Sequence, residues 1–160
     1  MESSWIAWAA ASAACALFAA GAVTDLRSRT VPNAIPLALL ALFAVHVAAG
    51  SGERAASPLA HLAIGAVLLA AGFALYSTGR FGAGDAKLIA AAGLWVGPSD
   101  LAVFLLGLGA CAFALSAVAL LPFEAARRMR PELPFAVAIV PPALAVMIPR
   151  ALSFQVQPVS

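Results

Sequence analysis

Two carboxylic acids stand apart from the other acidic residues of this 160-residue chain. Asp25 and Asp85 each sit where a long apolar run meets a short polar turn. Glu2 is terminal, and Glu53, Asp100, Glu124 and Glu132 fall in predicted loops, where a solvated carboxylate needs no further account. A charged side chain at a bilayer centre costs about 2.5–3.5 kcal/mol on insertion scales, and less near the edge, so carboxylates beside apolar runs are functional candidates. Two carboxyl groups brought together do not both ionise easily and come to share a proton. One can then take a proton from water while the other donates to a carbonyl, which is the chemistry of amide hydrolysis. The competing reading is helix capping. It is strong for Asp85, which follows Gly84 and precedes a helical run. It is weaker for Asp25, which ends a helix, where the dipole disfavours a negative charge unless Arg27 and Arg29 offset it.

The residues around the two acids fit the hydrolytic reading. Asp85 closes the string Gly79-Arg-Phe-Gly-Ala-Gly-Asp85, in which Gly82 and Gly84 remove side chains just before the carboxylate. Glycine there permits unusual backbone angles and close approach of an extended peptide. Pro32 and Asn33 shape the loop after Asp25, and Asn33 is placed to cap the next helix. Lys87 lies two residues beyond Asp85, so on a regular helix the two side chains diverge. Arg27, Arg29, Arg80 and Lys87 read mainly as topology signals, with anionic lipid as their natural partner. His46 and His61 lie mid-span or toward the opposite face and read as packing or interhelical hydrogen-bonding residues. Cys15 and Cys111 lie inside apolar runs and form no CxxC pair, so they read as small core residues; neither a metal site nor a cofactor is expected.

Helices must position these groups. The chain is 64% hydrophobic and only 10% charged, whereas a soluble domain is about half apolar and about a quarter charged. A net charge of +2 and the lack of a basic, aromatic-rich patch argue against nucleic acid. Six apolar segments run roughly Trp5 to Thr24, Ala34 to Gly50, Pro58 to Ser77, Ala86 to Gly97, Leu101 to Leu121 and Pro134 to Pro149. The fourth is short against the roughly 17–25 residues of a full span, and Pro141-Pro142 should kink or break the sixth. Gly97-Pro98 is a turn signal that separates the fourth from the fifth. With the N-terminus outside, the inner loops carry Arg27, Arg29, Arg80, Lys87, Arg127, Arg128 and Arg130, while Arg54 and Arg150 lie outside. That bias follows the positive-inside rule and puts both aspartates on the cytoplasmic face. The first apolar run has Glu2 before it and its arginines after it, the reverse of a signal peptide, so it reads as a retained span. Trp5, Trp8 and Trp95 suit interfacial belts. The expectation is an all-α polytopic membrane bundle of about six transmembrane helices, with residues 1–160 forming one integral membrane domain.

Two blocks of sequence resemble the type IV prepilin peptidases, the GxGD class of membrane aspartic proteases. Asp25-Leu-Arg-Ser-Arg-Thr-Val-Pro-Asn33 is similar to the family's first aspartate motif with its downstream Pro-Asn. Gly82-Ala-Gly-Asp-Ala-Lys-Leu88, continuing through Gly93-Leu-Trp-Val-Gly-Pro98, is similar to the second. A weaker likeness is Leu133-Pro134-Phe135, resembling a Pro-Phe segment that opens the family's last helix. The resemblance implies that Asp25 and Asp85 are the catalytic pair. It also implies cleavage of the leader of a prepilin or pseudopilin just before its hydrophobic helix, at the cytoplasmic side of a bacterial inner membrane, in pilus biogenesis or type II secretion. Bifunctional members carry a further N-terminal cytoplasmic region, often with a tetracysteine zinc site, linked to N-methylation. This chain starts at its first span without a CxxC, so no methyltransferase activity is expected, and it looks like the short peptidases of tight-adherence, Flp-type pilus systems.

Dipole placement assigns roles. Asp85 at a helix N-terminus favours the ionised form and general base, and Asp25 at a helix C-terminus favours the acid. The alternative from a different class is a small transporter or channel subunit using both aspartates as ion or proton sites. Against it, the two aspartates lie on one face, and no inverted repeat with broken helices is visible.

Overall fold

The computed structural model describes residues 2–49, 57–79, 81–120 and 134–153. Among them it holds five helices: α1 (Glu2–Ser28), α2 (Ala34–Ala48), α3 (Pro58–Ser77), α4 (Ala83–Leu120) and α5 (Ala136–Ser153). The stretches Trp5–Ser28, Pro58–Ser77 and Ala83–Leu120 are long and apolar enough to cross a membrane, and α2 and α5 are shorter apolar helices. The chain is therefore a helical membrane bundle. Glu53 and Arg54, Arg80, and the basic loop with Glu124, Arg127, Arg128, Arg130, Glu132 and Leu133 lie outside the described residues.

Ala and Leu dominate these helices, and both are strong helix formers. Pro58 opens α3 at its first turn, where its missing amide has no helical partner to lose. Two boundaries differ from the sequence reading in a way that matters. α1 continues past Thr24 to Ser28, so Asp25 lies inside its last turn. The Arg29 amide bonds to the Asp25 carbonyl at 2.9 Å. Arg29 adopts the left-handed conformation, φ 55°, which costs a non-glycine residue roughly 1–2 kcal/mol and stops the helix. Likewise α4 begins at Ala83, so Asp85 belongs to its first turn.

The first arm of α4 is the centre of the molecule. Residues 90–97 are buried without interruption, as expected of a helix surrounded by others. Trp95 is 6% exposed and donates its indole N–H to the Leu39 carbonyl at 3.0 Å, so it is a core residue and not part of an interfacial belt. Helix α4 packs on α2, α3 and α5, and α1 packs on α2 and α5. The contacts thus run α1–α2–α4–α5 and back to α1, with α3 laid against α4. Small residues allow the closest approach: a Cβ at Gly72 of α3 would stand 2.8 Å from the Ala86 Cβ.

The helical path of α4 breaks at Gly97, where φ is 70° and ψ −177°. This is the Gly-Pro turn that the sequence marks, and its loose ends are tied by side chains. Pro98 has no amide for the Leu94 carbonyl, and His61 Nδ1 bonds that oxygen instead at 2.8 Å. The Arg150 guanidinium donates to the Val96 carbonyl at 2.7 Å and pairs with Asp100. A Cβ at residue 97 would lie 2.1 Å from the His61 ring, so only glycine fits. Of the kink or break expected at Pro141-Pro142, a break does not occur. Helix α5 runs through Pro141, Pro142 and Pro149, and Pro142 instead packs closely against Gly107 of α4.

Candidate active site

Asp25 is 5% exposed although it lies near a helix end. Its carboxylate accepts the Ala136 amide at 3.0 Å. Ala136 opens α5, and first-turn amides have no partner within their own helix. An acidic group at that position is further favoured by the positive end of the α5 dipole. The local electrostatic partner of Asp25 on its own chain segment is Arg29.

Asp85 is half-buried in the first turn of α4. The Gly82 amide donates to its carboxylate, while the Gly82 carbonyl accepts the Ala86 amide at 3.1 Å. This is the reach-back half of a capping box, with the acid inside the helix and glycine at the cap. The capping reading of Asp85 therefore holds at the level of local structure. Neither Gly82 nor Gly84 uses a left-handed backbone; among the described residues the glycines with positive φ are Gly79 and Gly97. Their contribution is space. A Cβ on Gly82 would fall 2.6 Å from Asp85 Oδ2. A Cβ on Gly84 would fall 3.1 Å from the Val31 Cβ. Gly84 thus lets the turn before Asp85 rest on the loop that follows Asp25.

The two acids lie toward one end of the bundle. Gly21 of α1 faces Leu88 of α4, whose methyl carbons would be 3.7 and 3.8 Å from a Cβ at position 21. Asp25 lies one turn beyond Gly21 and Asp85 one turn before Leu88, both toward the same end. The charge of Asp25 acts directly on Asp85. Beside them, Phe81 and Phe135 pack edge to face with ring centroids 5.4 Å apart. The pair joins the turn before Asp85 to the start of α5, next to the amide that holds Asp25.

The remaining sequence candidates fall around this centre. Pro32 accepts the Ile35 amide at 3.0 Å and turns the chain into α2. Asn33 stands at the α2 cap position but makes no side-chain cap bond. Its Oδ1 accepts instead from Lys87 Nζ at 2.8 Å, which ties α2 to α4. His46 Nδ1 and His61 Nδ1 bond the Ala7 and Leu94 carbonyls, so both serve interhelical packing away from the acids. Cys15 and Cys111 are free and half-buried, and among the described residues no cluster of three or more His, Cys, Asp or Glu could hold a metal.

The sequence reading did not foresee two participants. Ala136 contributes only a backbone amide, which no residue type announces. Phe81 stood in the glycine-rich string without a role, and its pairing with Phe135 is a tertiary contact. The Ala136 amide also removes the dipole argument for distinct acid and base, since each carboxylate accepts an amide at the start of a helix.

The profile of the type IV leader peptidase family matches residues 12–121 of the chain. The matched region spans most of α1 and all of α2, α3 and α4, and includes both aspartates. Comparison with curated proteins and with solved structures finds no match.

Proposed function

Because this chain belongs to the type IV leader peptidase family, we propose that it is an aspartic endopeptidase with Asp25 and Asp85 as its catalytic pair, removing the leader of a prepilin or pseudopilin. The observation that carries the reading is the placing of the two carboxylates toward one end of the bundle, one buried and one half-buried. One shared proton serves both halves of the reaction. The ionised carboxylate takes a proton from water as the water oxygen attacks the scissile carbonyl carbon. The protonated one donates to the carbonyl oxygen. Collapse of the tetrahedral intermediate breaks the C–N bond: the amine leaves with the proton first taken from water, and an intermediate hydroxyl returns its proton to the other carboxylate, which restores the pair. The proton has no fixed home in the resting pair.

The reaction side is the cytoplasmic face of a bacterial inner membrane. Support comes from Arg27 in the last turn of α1 and Arg29 just after it, at the aspartate end, and from the positive-inside rule. An N-terminus outside and six spans follow if the break at Gly97 separates two crossings of α4. Peptidase activity without N-methylation and a Flp-type substrate are part of the same proposal, as the family resemblance implies.

The test is co-expression with a prepilin from the same genome, with leader removal followed by gel shift. Wild type converts the precursor and D25A and D85A do not. Cleavage that persists in both variants refutes the pair. No cleavage of any cognate prepilin favours the transporter reading.

A further inference from the structure

Residues 29–33 connect α1 to α2 and lie along the start of α4. Two contacts hold them there. A Cβ on Gly84 would stand 3.1 Å from the Val31 Cβ and 3.4 Å from the Val31 nitrogen, so the loop rests on the α4 backbone. On the same face of α4, three residues on, Lys87 Nζ donates to Asn33 Oδ1 at 2.8 Å. The two contacts bracket Asp85, one residue before it and two after it.

The loop is stiff between its ends. The Arg29 amide bonds the Asp25 carbonyl at 2.9 Å, and Arg29 holds a left-handed backbone, φ 55°. The Ser28 and Thr30 hydroxyls bond each other at 3.0 Å, and Pro32 fixes its own φ. A shift of the loop against α4 is therefore passed to the turn that carries Asp25. Asn33 stands at the cap of α2, where its side chain is suited to accept a first-turn amide. It makes no such bond and is given over to Lys87. The Lys87 side chain diverges from that of Asp85 around the helix. The pair thus acts on where the first turn of α4 stands, without touching the carboxyl group.

We propose that the Asn33–Lys87 hydrogen bond is a positioning clamp for the two aspartates, holding the first turn of α4, with Asp85, against the loop that leaves Asp25. The inference rests on the peptidase reading and supplies two positioning residues for it. Two carboxyl groups that share a proton titrate in two steps, and the steps lie farther apart in pH the closer the groups stand. The clamp sets that separation, so breaking it brings the two steps toward each other. A changed field from Arg27, Arg29 or Lys87 moves both steps in one direction instead.

The test is cleavage of the prepilin from the same genome by the full chain carrying Asn33→Leu, which keeps the size and every charge and removes the acceptor. Its kcat should fall about tenfold, part of the roughly 10²-fold that a 1 Å misplacement costs, with KM nearly unchanged. The bell-shaped pH profile of kcat should narrow from both sides. The melting temperature should stay near wild type, because no cap bond is lost. Lys87→Met should slow cleavage to the same extent, and the double variant no further than either single one. Asn33→Asp keeps an acceptor and should restore the wild-type maximum. A raised KM with unchanged kcat means that the pair binds substrate, and additive losses mean that the two residues act separately. A slower enzyme whose pH limbs do not move has lost folded protein and not geometry. Each of these results, like wild-type kinetics in Asn33→Leu, overturns the clamp and leaves the peptidase reading standing, because wild type cleaves. If wild type cleaves no cognate prepilin, both fall.

Discussion

Gly82→Ala separates the space a glycine provides from the backbone freedom it provides. The added Cβ would sit 2.6 Å from Asp85 Oδ2 and 3.4 Å from its Cγ. Carbon and oxygen need over 3 Å, so the carboxylate must move by roughly 0.5–1 Å or rotate away. A misplacement of that order in a catalytic group costs about 10²-fold in rate, equivalent to about 2.7 kcal/mol in the barrier. Stability should change little, because residue 82 does not have positive φ and the Gly82 carbonyl keeps its bond from the Ala86 amide. Gly→Ala at a compatible position adds about 0.4–1 kcal/mol through the unfolded state. The contrast is Gly79→Ala. Gly79 has φ 72° with nothing within 4 Å of an added Cβ. That variant should lose about 1 kcal/mol of stability by backbone strain and keep its cleavage rate. The assays are single-turnover cleavage of a detergent-solubilised prepilin and thermal melting by circular dichroism. A Gly82→Ala protein that melts like wild type and cleaves at the wild-type rate would refute the proposed coupling between this glycine and the Asp85 carboxylate.

Further outcomes follow from other contacts. His61→Ala removes the donor to the Leu94 carbonyl, and leaving that buried oxygen unpaired should cost about 1–3 kcal/mol in a denaturant or heat melt. Gly72→Val presses a side chain into the Ala86 backbone, so overpacking should destabilise the α3–α4 contact by about 1–3 kcal/mol, read as a lower melting temperature. The cleavage rate should be bell-shaped in pH. Below the window both carboxyls are protonated and no base remains; above it both are ionised and no acid remains. A rate that rises to a plateau with pH would argue against a shared proton. Phe135→Ala opens the edge-to-face pair with Phe81 and should lower the cleavage rate more than it lowers the melting temperature, because the pair joins the Asp85 turn to the helix whose amide holds Asp25.

Much of this protein is written in its composition and local patterns. Unbroken apolar runs have no solution in water and few in lipid other than helices, since each backbone amide and carbonyl must bond within its own segment. That physics makes the helical bundle readable without coordinates. The Gly97-Pro98 break is readable because proline disfavours helical angles at the residue before it and glycine there is free to leave them. Asp25 and Asp85 were readable because an acid beside apolar sequence is rare and because each carries its own flanking motif.

What stayed hidden arises between segments. Whether Trp95 lies at an interface or in the core depends on which helices surround α4. Whether Pro141-Pro142 breaks α5 depends on how α4 packs against it at Gly107. The sequence by itself determined which residues are acidic, which segments are helical and where one helix must break, because those properties come from side chains and neighbours a few residues away. Only the tertiary structure decided that Asp25 and Asp85 come to one end of the bundle, and that a backbone amide over 100 positions away holds Asp25. Hydrogen bonds and charge act over a few ångströms, and the distance between two helices is set by every contact that packs them.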